Sequence, residues 1–216
     1  MTLDLYGFWR SLATFRVRIA LNLKGLDYRE HMVDIFTGDQ YEASFRAINP
    51  MSAVPALVEP GHPPLTQSMA ILEYLEEVYP DPPLLPASPR ARAHVRALAM
   101  IMVADTHPLM VPRVRNYLSD VLGLDEPRRM AWLEHWSRTA FSALEAQLAD
   151  VPGPFCAGPS PTLADICLAT QMVGARLSRF DMTAFPACNR IVDNCLQIDA
   201  FARAHPLRQR GAPAAS

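Results

Sequence analysis

Along the first eighty residues the apolar positions change period repeatedly, and each change marks a new element. Residues 3–8 form a short apolar run of strand length. Residues 16–24 place Val17, Ala20 and Leu21 on one side of a helix that starts near Ser11 to Thr14 and ends at Gly25, a residue suited to the turn after a helix. Residues 28–35 alternate His31, Val33 and Ile35 with Glu30, Met32 and Asp34, which predicts a strand. A helix over 40–47 stops before Asn49-Pro50. Residues 54–58 read as a strand, 61–64 as a turn and 65–66 as a short strand. A helix over 68–78 carries Ile71, Leu72, Leu75 and Val78 on its core face. The order is βαβ–α–ββα, a small α/β layer of about four strands.

The pattern then changes class. Residues 80–89 hold five prolines, Pro80, Pro82, Pro83, Pro86 and Pro89, and read as a stiff linker. Everything after it has helical period. Residues 90–118 predict a helix pair or kinked helix interrupted by Pro108 and Pro112. Residues 126–148 are amphipathic throughout. Thr162-Leu163-Ala164-Asp165 matches a capping box opening a helix to about residue 178. A last helix covers 187–204, and 207–216 have the composition of a disordered tail. The expected division is an α/β domain over 1–80, a linker over 81–89 and an all-α domain over 90–216.

Composition narrows the function. The chain of 216 residues carries a net charge of −2, with 6 basic and 10 acidic residues in its first eighty, which argues against a nucleic-acid partner held through phosphates. No apolar run reaches the ~18 residues of a membrane span, and the N-terminus shows no signal-peptide pattern. Cys156, Cys167, Cys188 and Cys195 lack metal-ligand spacing and any CxxC motif, so no metal site is expected and a reducing, cytoplasmic compartment is the simplest reading. Of the 20 basic residues only Lys24 is a lysine. An arginine in a binding site suits a carboxylate, because its planar fork matches that group.

Three places carry candidate chemistry. Ser11 and Thr14 stand where a strand passes into a helix, so either caps the helix or offers a hydroxyl that lowers the pKa of a bound thiol. Val54-Pro55 opens a strand, and is either an ordinary trans proline or a cis turn exposing backbone for strand addition by a peptide-like ligand. Gln67-Ser68 lies at another strand-to-helix junction, where Ser68 is a candidate cap and the first-turn N–H groups suit a carboxylate.

These segments together resemble the zeta-class glutathione S-transferases, a family that includes maleylacetoacetate isomerase and bacterial maleylpyruvate isomerase. Arg10-Ser11 with Arg16-Val17-Arg18-Ile19-Ala20-Leu21 resembles the family's activating motif and first helix. Asn49-Pro50-Met51 with Val54-Pro55-Ala56-Leu57 resembles its cis-proline segment, and the run from Gln67-Ser68 to Glu77 resembles its γ-glutamyl-binding segment. Thr162 to Asp165 and His107-Pro108 match the helical part. The resemblance covers about residues 3–204. Two departures stand out: Ser11-Leu12-Ala13 replaces a common Ser-Ser-Cys, and Met110-Val111-Pro112-Arg113 replaces an Asn-Asn-Arg-Arg run. The second makes its wall more apolar and bears on the substrate more than on glutathione.

The resemblance implies a thioredoxin-like N-terminal domain that binds glutathione and a helical C-terminal domain that binds substrate. It implies that Ser11 hydrogen-bonds the glutathione sulfur and that the Val54 backbone, beside Pro55, pairs with the cysteinyl unit. Gln67 and Ser68 hold the γ-glutamyl group, Gln40 assists at the glycyl end, and His107 lies at the mouth of the site. Arg10, Arg113 and Arg176 face an anionic or electrophilic second substrate. The implied activity is glutathione-dependent cis–trans isomerisation of a maleyl-type keto acid, by a homodimer. The alternatives are a transferase that consumes glutathione on electrophiles and a non-catalytic interaction protein of the same fold.

Overall fold

The computed structural model describes residues 2–213. The chain divides into two compact units, one running to Leu84 and taking up the segment from Leu196 onward, the other spanning Leu85–Cys195.

The first unit is built on a four-stranded mixed sheet. Its strands are β1 (Leu3–Gly7), β2 (Tyr28–Met32), β3 (Ala56–Val58) and β4 (Leu65–Thr66), in the order β2-β1-β3-β4. β1 and β2 run parallel, while β3 is antiparallel to both β1 and β4. The crossover from β1 to β2 is α1 (Leu12–Leu23), and α2 (Ala43–Ile48) and α3 (Ser68–Val78) complete the layer. Leu5, Phe15, Val17, Ile19, Leu57, Ile71, Leu72 and Leu75 fill the core between sheet and helices. This is the α/β layer that the first eighty residues imply, in the thioredoxin-like arrangement that the family resemblance implies.

The second unit is helical. It comprises α4 (Pro89–Val103), α5 (Pro112–Asp120), α6 (Glu126–Leu148), α7 (Leu163–Leu177) and α8 (Pro186–Gln197), with a single 3-10 turn at His107–Leu109. The break before α5 falls at the expected prolines. α7 is the centre: it is buried on nearly every side and packs on α4. Asp165 starts it, accepting from the Thr162 N–H (2.7 Å) and hydroxyl (2.8 Å) and from the Cys156 N–H (2.7 Å). Burial nonetheless pushes the Asp165 carboxyl above its usual range. All four cysteines are buried, and none is in a disulfide.

Several bounds differ from the expectation. β2 stops at Met32, because the chain turns at Asp34, whose N–H donates to the Asp39 carboxylate and whose own carboxylate accepts from Phe36. The helix expected over 40–47 is a short 3-10 turn (Asp39–Tyr41) followed by α2, separated by the extended backbone of Glu42. The last helix is two: Ile198 is extended, and α9 (Asp199–Ala204) turns away to pack Phe201 and Ala204 in the first unit beside α1. There the Asn22 side chain donates to the Ala200 carbonyl. The supposed tail is anchored as far as it is described. Gln209 donates to the Arg203 and His205 carbonyls, and Gly211 lies so close to Met32 that a Cβ would meet its methyl at 2.7 Å. Residues 214–216 of that expected tail lie outside the described residues.

Lys24, the lone lysine, sits at the end of α1 with its side chain buried. Its Nζ is 2.7 Å from Glu76 and 2.7 Å from the Pro82 carbonyl. Glu76 also accepts from the Leu84 N–H at 2.8 Å. The proline-rich segment is therefore tied down by a buried ion pair as well as stiffened by its rings. Lys24→Met removes the cation beside the buried Glu76 carboxylate, and should lower unfolding stability by about 3–5 kcal/mol, read as an earlier urea midpoint. A midpoint within experimental scatter of the parent would show that the pair does not hold the segment.

His205 gives a pH dependence. Its Nδ1 accepts from the Leu207 N–H, and burial, reinforced by Arg208, holds its pKa below the usual 6.5. A depressed histidine pKa contributes stability above the unfolded value, lost as pH falls through the folded one. An NMR titration should place the imidazole midpoint below 6.5, with the Leu207 amide resonance moving alongside. A Leu207 amide that ignores the titration would count against this contact.

Candidate functional site

The strand register puts the sequence candidates at one end of the sheet. Gly7, the last residue of β1, pairs with Met32, the last of β2. Tyr6 pairs with Ala56, the first residue of β3, and Ala56 pairs with Thr66, the last of β4. The loop carrying Arg10 and Ser11, the segment after β2 that leads to Gln40, the Val54-Pro55 step and the Gln67-Ser68 junction therefore all emerge at the same edge. His107, Arg113 and Arg176 belong to the helical unit.

Ser11 is the N-cap of α1: its Oγ accepts from the Thr14 N–H at 3.2 Å. The capping and chemical readings are compatible, because accepting uses a lone pair and leaves the hydroxyl proton to be donated. Thr14 in turn accepts from the Phe8 N–H, and the Ser11 N–H closes a turn onto the Phe8 carbonyl at 3.0 Å. Arg10, one residue earlier, is exposed.

Arg18 fixes this loop, and the sequence pattern did not mark it. Its side chain is wholly buried. Nε and Nη2 fork onto the Glu30 carboxylate from β2, Nη2 also reaches the Phe8 carbonyl (3.1 Å), and Nη1 reaches that of Trp9 (3.3 Å). Gly7 makes the approach possible, since a Cβ there would lie 2.3 Å from Thr14 Cγ2 and 3.0 Å from Glu30 Oε1. The available signal was two arginines two apart within an apolar helix, which no single polar face accommodates.

The Val54–Pro55 bond is cis. Among the described residues no hydrogen bond uses the Val54 N–H or C=O, so both are available to an added strand. At the fourth site Gln67, not Ser68, is the N-cap of α3, with φ of 68° and an exposed side chain. The Ser68 hydroxyl instead accepts from Arg16 Nη1 at 3.0 Å. A buried guanidinium thus stands behind the N-terminus of α3, and both favour an anion there. Gln40 is 8% exposed; its amide nitrogen faces the Ile35 carbonyl while its Oε1 is buried with no partner. A peptide-like ligand with a carboxylate fits this set: a free backbone edge, an anion-favouring helix end and an unpaired buried acceptor.

In the helical unit Arg113 is exposed in the first turn of α5, and His107 is partly exposed at the start of its 3-10 turn. Arg176, near the end of α7, bonds to Asn189 and Asp193 of α8. Met110, one of the residues replacing the Asn run, has its sulfur contacted by Ser137 and Gln171.

Known proteins match over nearly the whole chain. Residues 10–78 match the glutathione S-transferase N-terminal domain and 137–194 its C-terminal domain. A maleylpyruvate isomerase of Ralstonia is 43% identical, aligned over 96% of this chain and 98% of that protein. The holo structure of maleylpyruvate isomerase, described as a bacterial zeta-class transferase, superposes with a TM-score of 0.94 at 42% identity, covering 97% of this chain and all of that one. The chain belongs to the zeta class of glutathione S-transferases. A second structural relative, maleylacetoacetate isomerase of Methylobacterium extorquens with bound malonate and glutathione, has a TM-score of 0.95 at 50% identity and covers 98% of this chain and all of its own.

For this zeta-class chain the loop geometry makes a direct prediction. Glu30→Leu leaves Arg18 buried without its carboxylate and should cost about 3 kcal/mol of unfolding stability. The double variant Arg18→Met/Glu30→Leu should recover part of that loss. Equal losses in single and double variants would show that the unpaired charge is not the cause.

Proposed function

We propose that this protein is a glutathione-dependent cis–trans isomerase of a maleyl-type keto acid, maleylacetoacetate or maleylpyruvate. The observation that carries it is the gathering of Ser11, Val54, Gln67 and Gln40 at one sheet edge, in a chain similar over nearly its full length to isomerases of that name. Glutathione, when bound, supplies a thiolate that adds to the double bond, permits rotation about the resulting single bond, and leaves unchanged.

The chain's own residues have two tasks. The first is to stabilise the thiolate. Ser11 is oriented by the Thr14 N–H, so its proton points away from the cap, and the N-terminus of α1 adds its dipole. Val54 pairs with the cysteinyl backbone, Gln67 and Ser68 hold the γ-glutamyl group over Arg16, and Gln40 offers its unpaired acceptor at the glycyl end. His107 is the further residue assigned to glutathione. The second task is to hold an anionic substrate, for which Arg10, Arg113 and Arg176 are the cations. In this reading residues 1–80 bind glutathione, 81–89 link, and the helical residues from 90 receive the substrate. The working form is a cytoplasmic homodimer. No helix among the described residues is long and apolar enough to cross a membrane.

One observation favours a second reading, conjugation of electrophiles with consumption of glutathione: Leu12, Met110 and Val111 are apolar and partly exposed where relatives carry polar residues. Measuring free thiol during turnover separates the two, since an isomerase leaves it constant.

Ser11→Ala should lower kcat with either maleyl acid about 100-fold, by analogy with removal of one preorganised donor, while glutathione affinity stays within a few-fold. Thermal unfolding must accompany the assay, because losing the cap itself costs about 1 kcal/mol. Parent-like turnover in a folded variant would remove Ser11 from the mechanism.

A further inference from the structure

Arg176 is gripped along one edge of α8. Its Nη2 donates to Asn189 Oδ1 at 2.7 Å and to Asp193 Oδ1 at 2.9 Å. Asn189 and Asp193 are four residues apart and so share a helix face. The two partners differ in how firmly they are held. The Asn189 amide nitrogen donates to the carbonyls of Met182 (2.7 Å) and Phe185 (2.9 Å). Both of its protons are used, which fixes the amide with its oxygen toward the guanidinium. Asp193 is held, among the described residues, by Arg176 alone, and 61% of its side chain is exposed.

A guanidinium can fork a carboxylate along two edges, Nε with Nη2 or Nη1 with Nη2. Arg18 uses the first edge on Glu30. Both edges need Nη2, and in Arg176 both Nη2 protons are committed. A ligand carboxylate gains the full fork only by taking the place of one present partner, and Asp193 is the one free to leave.

We propose that Asp193 is an affinity-setting residue: a resident carboxylate that competes with the substrate carboxylate for Arg176. The proposal rests on the assignment of Arg176 to the substrate. Exchanging one carboxylate for another at an exposed pair is close to neutral, so an acid with a single attachment point gains little. A diacid whose second carboxylate is already bound by another cation presents the first at high effective concentration, and displaces Asp193. Met182, Phe185 and Asn189 keep the guanidinium in place during the exchange.

The test uses the full-length protein saturated with glutathione, with Arg176→Ala, Asp193→Asn and the double variant. Two quantities are read: KM and kcat for the maleyl diacid, and the Kd of malonate by calorimetry, which does not depend on turnover. Asp193→Asn should lower both KM and the malonate Kd about three- to fivefold, the range of an exposed pair, with kcat unchanged. Acetate, a monocarboxylate, should gain by no more than the same factor, because the competitor is removed equally for every carboxylate that takes Arg176. Arg176→Ala should raise KM and the malonate Kd, and adding Asp193→Asn to it should change neither further. If Arg176→Ala leaves both unchanged, the assignment of Arg176 fails and the proposal with it. If Arg176→Ala weakens binding but Asp193→Asn leaves it unchanged or weakens it too, Asp193 is an anchor or a bystander and only the proposal fails. A gain from Asp193→Asn that persists without Arg176 would be a general charge effect, and would also overturn it.

Discussion

A cation with no access to water must find acceptors inside the protein, and Arg18 finds them in the two places that define the loop carrying Arg10 and Ser11. Its fork onto Glu30 joins α1 to β2, and its remaining donors take the carbonyls of Phe8 and Trp9. Those carbonyls immediately precede Arg10 and Ser11. The Phe8 carbonyl also receives the Ser11 N–H, so the same oxygen sets the turn and anchors it to the buried charge. Desolvating such a pair is costly, and its worth lies less in net stability than in leaving the loop a single arrangement in which all groups are satisfied. Ser11 has a defined direction because Arg18 does.

α1 repeats this device along its length. Arg16 bonds to Ser68 at the start of α3, and Lys24 bonds to Glu76 and the Pro82 carbonyl where the chain leaves the first unit. Three cations on one helix thus pin three boundaries of the α/β unit: the loop carrying Arg10 and Ser11, the anion-favouring helix end and the proline-rich segment. The scarcity of lysine elsewhere stays a matter of composition, but the one lysine is not incidental. A compact ammonium with three donors suits a point where a carboxylate and a backbone carbonyl converge, while the planar guanidinium suits the forked contact to Glu30.

Element type was legible where local periodicity and end signals agreed. α3 and α6 occupy the residues that the apolar spacing indicated, and the Thr162–Asp165 box starts α7 as its sequence requires. The sheet edge was legible only in part. Ser11, Val54 and Gln67 were recognisable as junctions, but their meeting at one end depends on strand register, which short strands do not encode locally. The roles of Arg16 and Arg18 were hidden because a helix covered by sheet, α3 and α9 has no solvent face, so charge no longer signals exposure. The break at Ile198 was hidden for a related reason: no proline or glycine marks it, and the gain comes from Phe201 and Ala204 packing beside α1, a contact between residues far apart in sequence.

The two kinds of arginine contact show how one side chain serves opposite ends. Arg18 is sealed, its carboxylate partner belongs to a strand, and each of its nitrogens has a backbone or side-chain acceptor. Arg176 is 34% exposed and shares its Nη2 between a locked amide and an exposed carboxylate. A site that stabilises a thiolate needs the first kind, because a donor that reorients as charge develops gives back part of what it contributes. A site that admits and releases a charged substrate needs the second. A guanidinium left bare in a half-buried position would be poorly solvated, whereas one fully saturated would be inert. Holding one partner fixed and the other exchangeable keeps the cation satisfied in either state, and makes the difference between them the affinity of one carboxylate against another.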